Sequence, residues 1–226
     1  MLDIYLSPSR AFARLKEKPT WLIPLVIVLV FNMLFVVVSS HYVDWGKQRQ
    51  AAVERMRDRN VPQEQIDKAT AGMEKFYSSP AMRYGVPAIS ALFVGIIAFL
   101  FLAVVYNVGL PLFGAASDFK RAWAIVCNAG LVMVPAVIVR SGLVLLKHSS
   151  EVTTSLLMAA PNLKQPFLKA LLSQLDIFDF WRFVLVAIGL QVVFGVKSSK
   201  SYTLVFAVWL VVMLVLSLLG MTAGGR

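Results

Sequence analysis

The chain has 226 residues, of which 58% are hydrophobic and 15% charged, with a mean hydropathy of +0.74 and a formal net charge of +10. Soluble domains usually contain roughly 45–50% apolar and about 25% charged residues, and a fold of this size could not bury the excess. The composition therefore argues against a water-soluble domain and against a disordered chain. It favours a small membrane bundle.

The chain has too few cysteines and histidines for a disulfide framework or for the usual zinc site. Cys127 is the single cysteine, so an intrachain disulfide is impossible, and only His41 and His148 could join it in a zinc site. We therefore expect neither a metal nor a cofactor. The excess of Lys and Arg lies between apolar runs, where it suits anionic lipid headgroups and topology signals. We accordingly expect these basic side chains to contact the lipid bilayer, and we expect no binding to nucleic acid.

Residues 7–18 precede the first apolar run and have the pattern of a short amphipathic helix. Ser7 is a candidate N-cap, and Pro8 suits the first helical position. Phe12 and Leu15 then lie near one face, whereas Arg10 and Arg14 lie on another. We predict an interfacial helix here, and we expect Phe12 to enter the lipid and wedge one leaflet.

Five apolar runs are each long enough to cross a hydrocarbon core of ~30 Å at a helical rise of ~1.5 Å per residue. Because backbone polar groups in lipid must be paired internally, all five are predicted to be helices. The first begins too late and is too long for a cleaved signal peptide. Five spans would place the two ends of the chain on opposite sides of the membrane. The predicted spans cover residues 21–39, 86–110, 122–140, 179–196 and 202–219.

Residues 44–79 are a polar insert between the first two spans. Apolar residues recur at helical spacing on both sides of Asn60-Val61-Pro62, which interrupts the pattern. Glu64 and Lys68 lie four residues apart, as oppositely charged pairs do on exposed helices. The insert is therefore predicted to be a helical hairpin outside the membrane.

Residues 163–175 place apolar side chains on one stripe and polar side chains elsewhere. Leu163, Phe167, Leu171 and Leu175 form that stripe. This pattern predicts a second interfacial helix, which leads directly into the fourth span.

Polar residues within the spans are few, and no acidic side chain falls in the interior of a predicted span. That absence argues against a proton- or sodium-coupled transporter but leaves a passive pore open. We expect the four polar side chains to hydrogen-bond between helices, at ~0.6–2 kcal/mol per bond. Alternatively, they line a small polar site. These residues are Asn32, Asn107, Asn128 and Gln191.

Small residues share one face of the second span, where they would let another helix approach closely. We expect this face to serve internal packing in preference to dimerisation. Its residues are Ala88, Ala91, Gly95 and Ala98.

Charged residues at the ends of the helices are predicted to lie in the headgroup region. Arg140 is expected to be an end anchor, although it could instead be a substrate-binding cation inside the bundle. Asp176, Asp179 and Arg182 cluster at the start of the fourth span, where Asp179 would neutralise Arg182. The predicted interfacial charges are Arg10, Arg14, Arg140, Asp179 and Arg182.

Motifs typical of catalysis are missing, and we expect no catalytic residue. The chain has no H-E-x-x-H, no G-x-S-x-G, no P-loop and no glycine-rich dinucleotide loop. A non-enzymatic role in the membrane is therefore the simpler interpretation.

Three stretches resemble motifs of a known family. The first is Ser7-Pro8-Ser9-Arg10-Ala11-Phe12, which precedes the first span. The second is Phe119-Lys120-Arg121-Ala122, which leads into the third span, and Pro135 lies inside that span. The third is Leu175-Asp176-Ile177-Phe178-Asp179-Phe180-Trp181, which leads into the fourth span and is followed by Gly189-Leu190. In these the chain resembles a bacterial branch of the Yip family, the Ypt/Rab-GTPase-interacting five-span membrane proteins. The resemblance covers essentially the whole chain except the insert.

The resemblance implies a cytosolic N-terminus, five helices and no established catalytic residue, and in eukaryotic members it implies roles in vesicle traffic and membrane shaping. Charge counting alone leans slightly toward an external N-terminus. We expect an integral protein of the bacterial inner membrane that acts as a membrane-organising scaffold, or as an accessory subunit that binds other membrane proteins or copies of itself. The alternative is a small permease or channel, or an accessory component of an export system, with Asn32, Asn128 and Gln191 around a wet cavity.

Overall fold

The computed structural model describes residues 2–150, 152–160, 163 and 165–224, with side chains described up to residue 218. Across this part of the chain every regular element is a helix, and the one extended pairing is a bridge between Ser155 and Asp176. Five helical stretches are long and apolar enough to cross a membrane, which confirms the predicted all-helical five-span fold. They are Leu22–His41, Ala81–Phe113, Phe119–Lys147, Ile177–Phe194 and Ser198–Leu218, named spans 1 to 5.

The chain begins with two short helices, α1 (Asp3–Leu6) and α2 (Pro8–Glu17), which lead into α3 (Leu22–His41), the helix of span 1. Pro8 takes the first position of α2, where its missing amide costs no hydrogen bond. The predicted N-cap Ser7 precedes α2, but its side chain makes no capping hydrogen bond. We call the side on which span 1 begins the proximal face and the other side the distal face.

The insert folds into two helices, α4 (Trp45–Asp58) and α5 (Gln63–Ser78), named here the distal hairpin. Asp44 caps α4 by accepting a hydrogen bond of 3.0 Å from the Lys47 amide. The turn between the helices contains Asn60 in the left-handed region, at φ 55°, which asparagine tolerates better than most residues.

Spans 2 and 3 both depart from a regular α-helix. Span 2 opens with a π-helical turn at Ala81–Gly85, continues as α6 (Val86–Gly109) and closes with a 3-10 turn. Span 3 consists of α7 (Phe119–Ala129), a 3-10 turn at Gly130–Val132 and α8 (Met133–Lys147).

Proline accounts for the break in span 3. Pro135 lacks the amide that would bond to the carbonyl of Leu131 in a regular helix, and its ring crowds that carbonyl. The Tyr5 hydroxyl donates a hydrogen bond of 2.7 Å to the Leu131 oxygen instead. The start of the chain therefore supplies a donor to a backbone carbonyl whose regular helical donor is missing at the proline.

The remaining helices are α9 (Pro166–Gln174), α10 (Ile177–Phe194) and α11 (Ser198–Gly224). Span 4 is α10, which ends at Gly195 in the left-handed region, at φ 68°, where glycine carries no Cβ penalty. Only three residues separate α10 from α11, so spans 4 and 5 form an antiparallel hairpin on the proximal face.

Span 3 is the central helix of the bundle. In its most apolar stretch 61% of residues are buried, against 17% to 39% in the other spans. Glycines allow its close contacts: a Cβ built on Gly130 would lie 2.5 Å from the Phe99 ring of span 2, and one built on Gly189 of span 4 would lie 2.5 Å from Ile125. A larger side chain at either glycine would force the helices apart.

The helix α2 lies within the bundle, which corrects the expectation that Phe12 enters lipid. Phe12 is 0% exposed and Leu15 is also buried. A Cβ on Gly189 would lie 3.1 Å from the Phe12 ring, so this ring packs between spans 3 and 4. The amphipathic pattern reflects contact with protein, and α2 has no free apolar face with which to wedge a leaflet.

The second predicted interfacial segment, residues 163–175, contains α9, although residue 164 lies outside the described part of the chain. No residue of α9 is fully buried, and the helix packs against α11. Its place at the membrane surface stays a prediction.

Candidate functional site: charged and polar groups of the bundle

The most completely bonded polar group of the bundle is Asp176, which lies between the connecting segment and span 4 on the distal side. Arg140 of span 3 places its Nη2 atom 2.8 Å from Asp176 Oδ2 and donates from Nε to Thr154 Oγ1 at 2.9 Å. Thr154 in turn donates to the same carboxylate. The Phe178 amide donates to Oδ1 at 2.8 Å, so Asp176 also caps α10.

Burial and bonding act in opposite directions on this carboxyl group. The Asp176 side chain is 4% exposed, and burial alone would raise its pKa. The hydrogen bonds from Thr154, from the Phe178 amide and from Arg140, together with the charge of Arg140, hold the pKa below its ordinary value. The pair is therefore ionised at neutral pH.

The cluster joins three parts of the chain that are distant in sequence. Next to it, the Leu156 amide donates to the Leu175 carbonyl at 2.9 Å, and Ser155 is buried. Arg140 is thus an ion-paired anchor, and its guanidinium is not free to bind a substrate. The sequence grouped Asp176 with Asp179 and Arg182; its pairing with Arg140, 36 residues away, has no signal in local spacing.

The lowered pKa of Asp176 makes folding stability depend on pH. Its contribution is present above the pKa of an unfolded aspartate, about 4, and is lost as pH falls through the lower pKa of the folded state. We expect the Tm of the detergent-solubilised protein to decrease below about pH 4, and the Asp176→Asn variant to lack this part of the decrease. A thermal-unfolding series against pH checks this; superimposable acid profiles would contradict it.

A second ion pair lies one turn further along span 4. Asp179 Oδ1 is 2.9 Å from Arg182 Nη2, and the Arg182 guanidinium carbon lies 4.8 Å from the centre of the Phe183 ring. Both residues lie inside the observed span, since α10 begins at Ile177. An acidic side chain is therefore present within a span, but it is paired with a neighbouring cation.

The predicted charges near the start of the chain are exposed. Arg14 pairs with Asp3, and its hydrogen bond and charge hold the Asp3 pKa below the ordinary value. Arg10 is exposed on the same helix. Because these groups are accessible to solvent, such pairs contribute little to stability.

The four intramembrane polar residues differ in their hydrogen bonding and burial. Asn128 donates from Nδ2 to the carbonyls of Thr20 and Ala124, both at 2.8 Å, whereas Asn107 Oδ1 is buried without a partner among the described residues. Asn32 and Gln191 are half-buried. No described hydrogen bond joins any two of the four, so they form no shared polar network.

The small-residue face of span 2 is only partly in contact with span 1. A Cβ on Gly95 would lie 3.0 Å from Leu29 Cδ2, and Ala88 is buried. Ala91 is half-buried, whereas Ala98 is exposed. Close helix approach therefore concerns the Gly95 region and does not extend along the whole predicted face.

Metal-binding chemistry has no cluster to support it in the described part of the chain. No group of three or more His, Cys, Asp or Glu side chains there could hold an ion, and Cys127 is buried. The polar groups described above form ion pairs or hydrogen bonds with one another, or they bond to the backbone of neighbouring segments.

Comparison with known proteins gives the family. The Yip1 domain matches residues 2–220. The chain is 24% identical over 233 residues to the membrane protein YknW of Bacillus subtilis (strain 168), an alignment that covers 99% of this chain and 92% of that protein. No solved structure matches the chain. The five apolar spans and a domain match over nearly the whole length lead to one conclusion: this integral membrane protein belongs to the Yip1 domain family.

Proposed function

We propose that the protein is a non-enzymatic scaffold or accessory subunit of the bacterial inner membrane, and that it binds another membrane protein through the distal hairpin. The proximal face, with the start of the chain, lies in the cytosol, in line with the family resemblance. The hairpin is then on the outer side of the membrane.

The observation that carries the proposal is the independence of the hairpin from the bundle. Of all residues in α4 and α5, only Ile66 is buried. The two helices hold together through Trp45 stacked on Tyr77, with ring centres 4.4 Å apart, and through an ion pair between Arg49 and Glu74 at 3.8 Å. A two-helix arm with so little buried surface contributes little to folding of the spans, so its exposed surface is available to a partner.

The interior of the bundle also favours binding over transport. Arg140 and Arg182 are each paired with an aspartate, and no described hydrogen bond joins the amide side chains of the spans. A permease or channel would need polar groups that line one continuous path.

Site-specific photo-crosslinking in native membranes tests this function. A photoreactive residue at Gln50 or Gln65, both exposed on the hairpin, is expected to give discrete adducts with one membrane protein. The matched control is Val108, an exposed residue of span 2, which faces lipid and should give no such adduct. The Glu54→Ala/Arg57→Ala variant removes two exposed charges from α4 and should reduce the hairpin adducts.

Two results would overturn the proposal. One is the same adduct pattern from Gln50, Gln65 and Val108, which indicates random collision. The other is the absence of any protein adduct from the hairpin positions, combined with flux of small solutes through the purified protein in liposomes. The second result would favour the permease alternative.

A further inference from the structure

A shallow apolar groove lies on the distal side, among residues near the distal ends of spans 1, 2 and 3. Its volume is about 380 Å³, within the range of about 300–1,000 Å³ that is usual for small-molecule sites. The residues that line this distal groove are Val37, Val38, His41, Tyr42, Tyr84 and Leu145.

Three aliphatic and three aromatic side chains line the groove. His41 Nδ1 lies 3.3 Å from the Tyr84 hydroxyl. The His41 ring also contacts Tyr42, with centres 5.0 Å apart, and Tyr42 contacts His148 at 5.8 Å. Both histidines of the chain are therefore in this one cluster. Tyrosines with one apolar and one polar end are characteristic of the boundary between hydrocarbon and headgroups.

Two cations near the groove have no acidic partner among the described residues. The Arg83 guanidinium carbon lies 5.5 Å from the centre of the Tyr84 ring, and the buried Arg83 Nε has no hydrogen-bond partner among described residues. Lys147 is exposed and directly precedes His148. Neither Arg83 nor Lys147 forms an ion pair with a described acidic residue, whereas Arg121, Arg140 and Arg182 each do.

We propose that the distal groove binds one anionic glycerophospholipid from the surrounding leaflet. An acyl chain lies along Val38 and Leu145, and the phosphate lies at the rim beside Arg83 and Lys147. The groove opens onto apolar surface of the spans, including the exposed Val37 and Leu146, so a ligand reaches it from the bilayer. Only an amphiphile with an apolar tail and an anionic head complements both parts. This site is separate from the hairpin surface that the proposed function uses.

Native mass spectrometry of the delipidated full-length protein tests the site. Phosphatidylglycerol and phosphatidylcholine with identical acyl chains are titrated separately, and we expect the first phosphatidylglycerol to bind at least tenfold more tightly. The Arg83→Gln/Lys147→Gln variant should lose roughly fivefold in phosphatidylglycerol affinity per removed charge. It should lose less in phosphatidylcholine affinity, because the choline cation offsets the charge of that phosphate. Arg83→Lys should retain most of the preference.

A groove-filling variant and a matched control complete the experiment. Val38→Phe narrows the apolar part and should weaken both lipids without changing their ratio. Lys16→Gln removes an exposed charge on the proximal face and should change neither. Equal affinity of the wild-type protein for the two lipids would overturn the proposal, and so would an unchanged ratio in Arg83→Gln/Lys147→Gln or unchanged binding in Val38→Phe.

Discussion

Replacement of Asp176 by asparagine is expected to lower the free energy of unfolding by about 3 kcal/mol, because it leaves the Arg140 guanidinium without a counter-charge in a largely buried site. Asparagine keeps the size of the side chain and still caps a helix well, so the loss reports on the charge. Equilibrium unfolding in detergent micelles measures the effect. A loss below about 0.5 kcal/mol would place the pair in the class of exposed, weakly coupled charges.

The matched control is a double-mutant cycle. Arg140→Met alone should also destabilise the protein, because it leaves the Asp176 carboxylate buried with fewer donors. The double variant Arg140→Met/Asp176→Asn removes both charges, and we expect it to be more stable than either single variant. Strictly additive losses would contradict a direct interaction between the two residues.

Truncation of Phe12 to alanine is expected to lower the free energy of unfolding by about 3 kcal/mol, because it opens a cavity between spans 3 and 4. It should also release the start of the chain from the bundle. Labelling of a cysteine at Ala11, which is partly buried against the core, should increase after the truncation and so follow that release, with Cys127 replaced by alanine in both proteins.

A phenylalanine on the lipid-facing surface provides the control for Phe12. Phe93 of span 2 is 59% exposed, and Phe93→Ala leaves no internal cavity, so its effect should stay below about 1 kcal/mol. Equal losses at Phe12 and Phe93 would mean that Phe12 contacts lipid, as the amphipathic pattern alone suggested.

The five spans could be predicted because hydropathy is a local property of the sequence. A long run without charges, such as the one that contains Asn32, must form a helix in lipid whatever its neighbours are. The partners of such a helix depend on contacts between distant parts of the chain. The amphipathic pattern of residues 7–18 therefore predicts a helix, which the structure contains. It does not predict the burial of Phe12 against Gly189 and Ile125.

Polar contacts, too, could be predicted only where the two residues are close in the sequence. Asp179 and Arg182 are three residues apart, and helical spacing predicted their pairing, which the structure contains. Arg140 and Asp176 are brought together only by the packing of span 3 against the start of span 4. Pro135 predicts that the Leu131 carbonyl lacks its regular helical donor. Nothing in the local sequence identifies the Tyr5 hydroxyl as the group that bonds to it.

The most direct test of the account is the sidedness of two cysteines in a Cys127→Ala background. Gly72→Cys lies in the distal hairpin, where a Cβ meets no other atom within 4 Å. Ser199→Cys lies in the exposed first turn of α11, directly after the connection between spans 4 and 5. We expect an impermeant maleimide to label residue 72 in intact cells and residue 199 only after permeabilisation. Labelling of both from the same side would contradict the five-span arrangement of this chain.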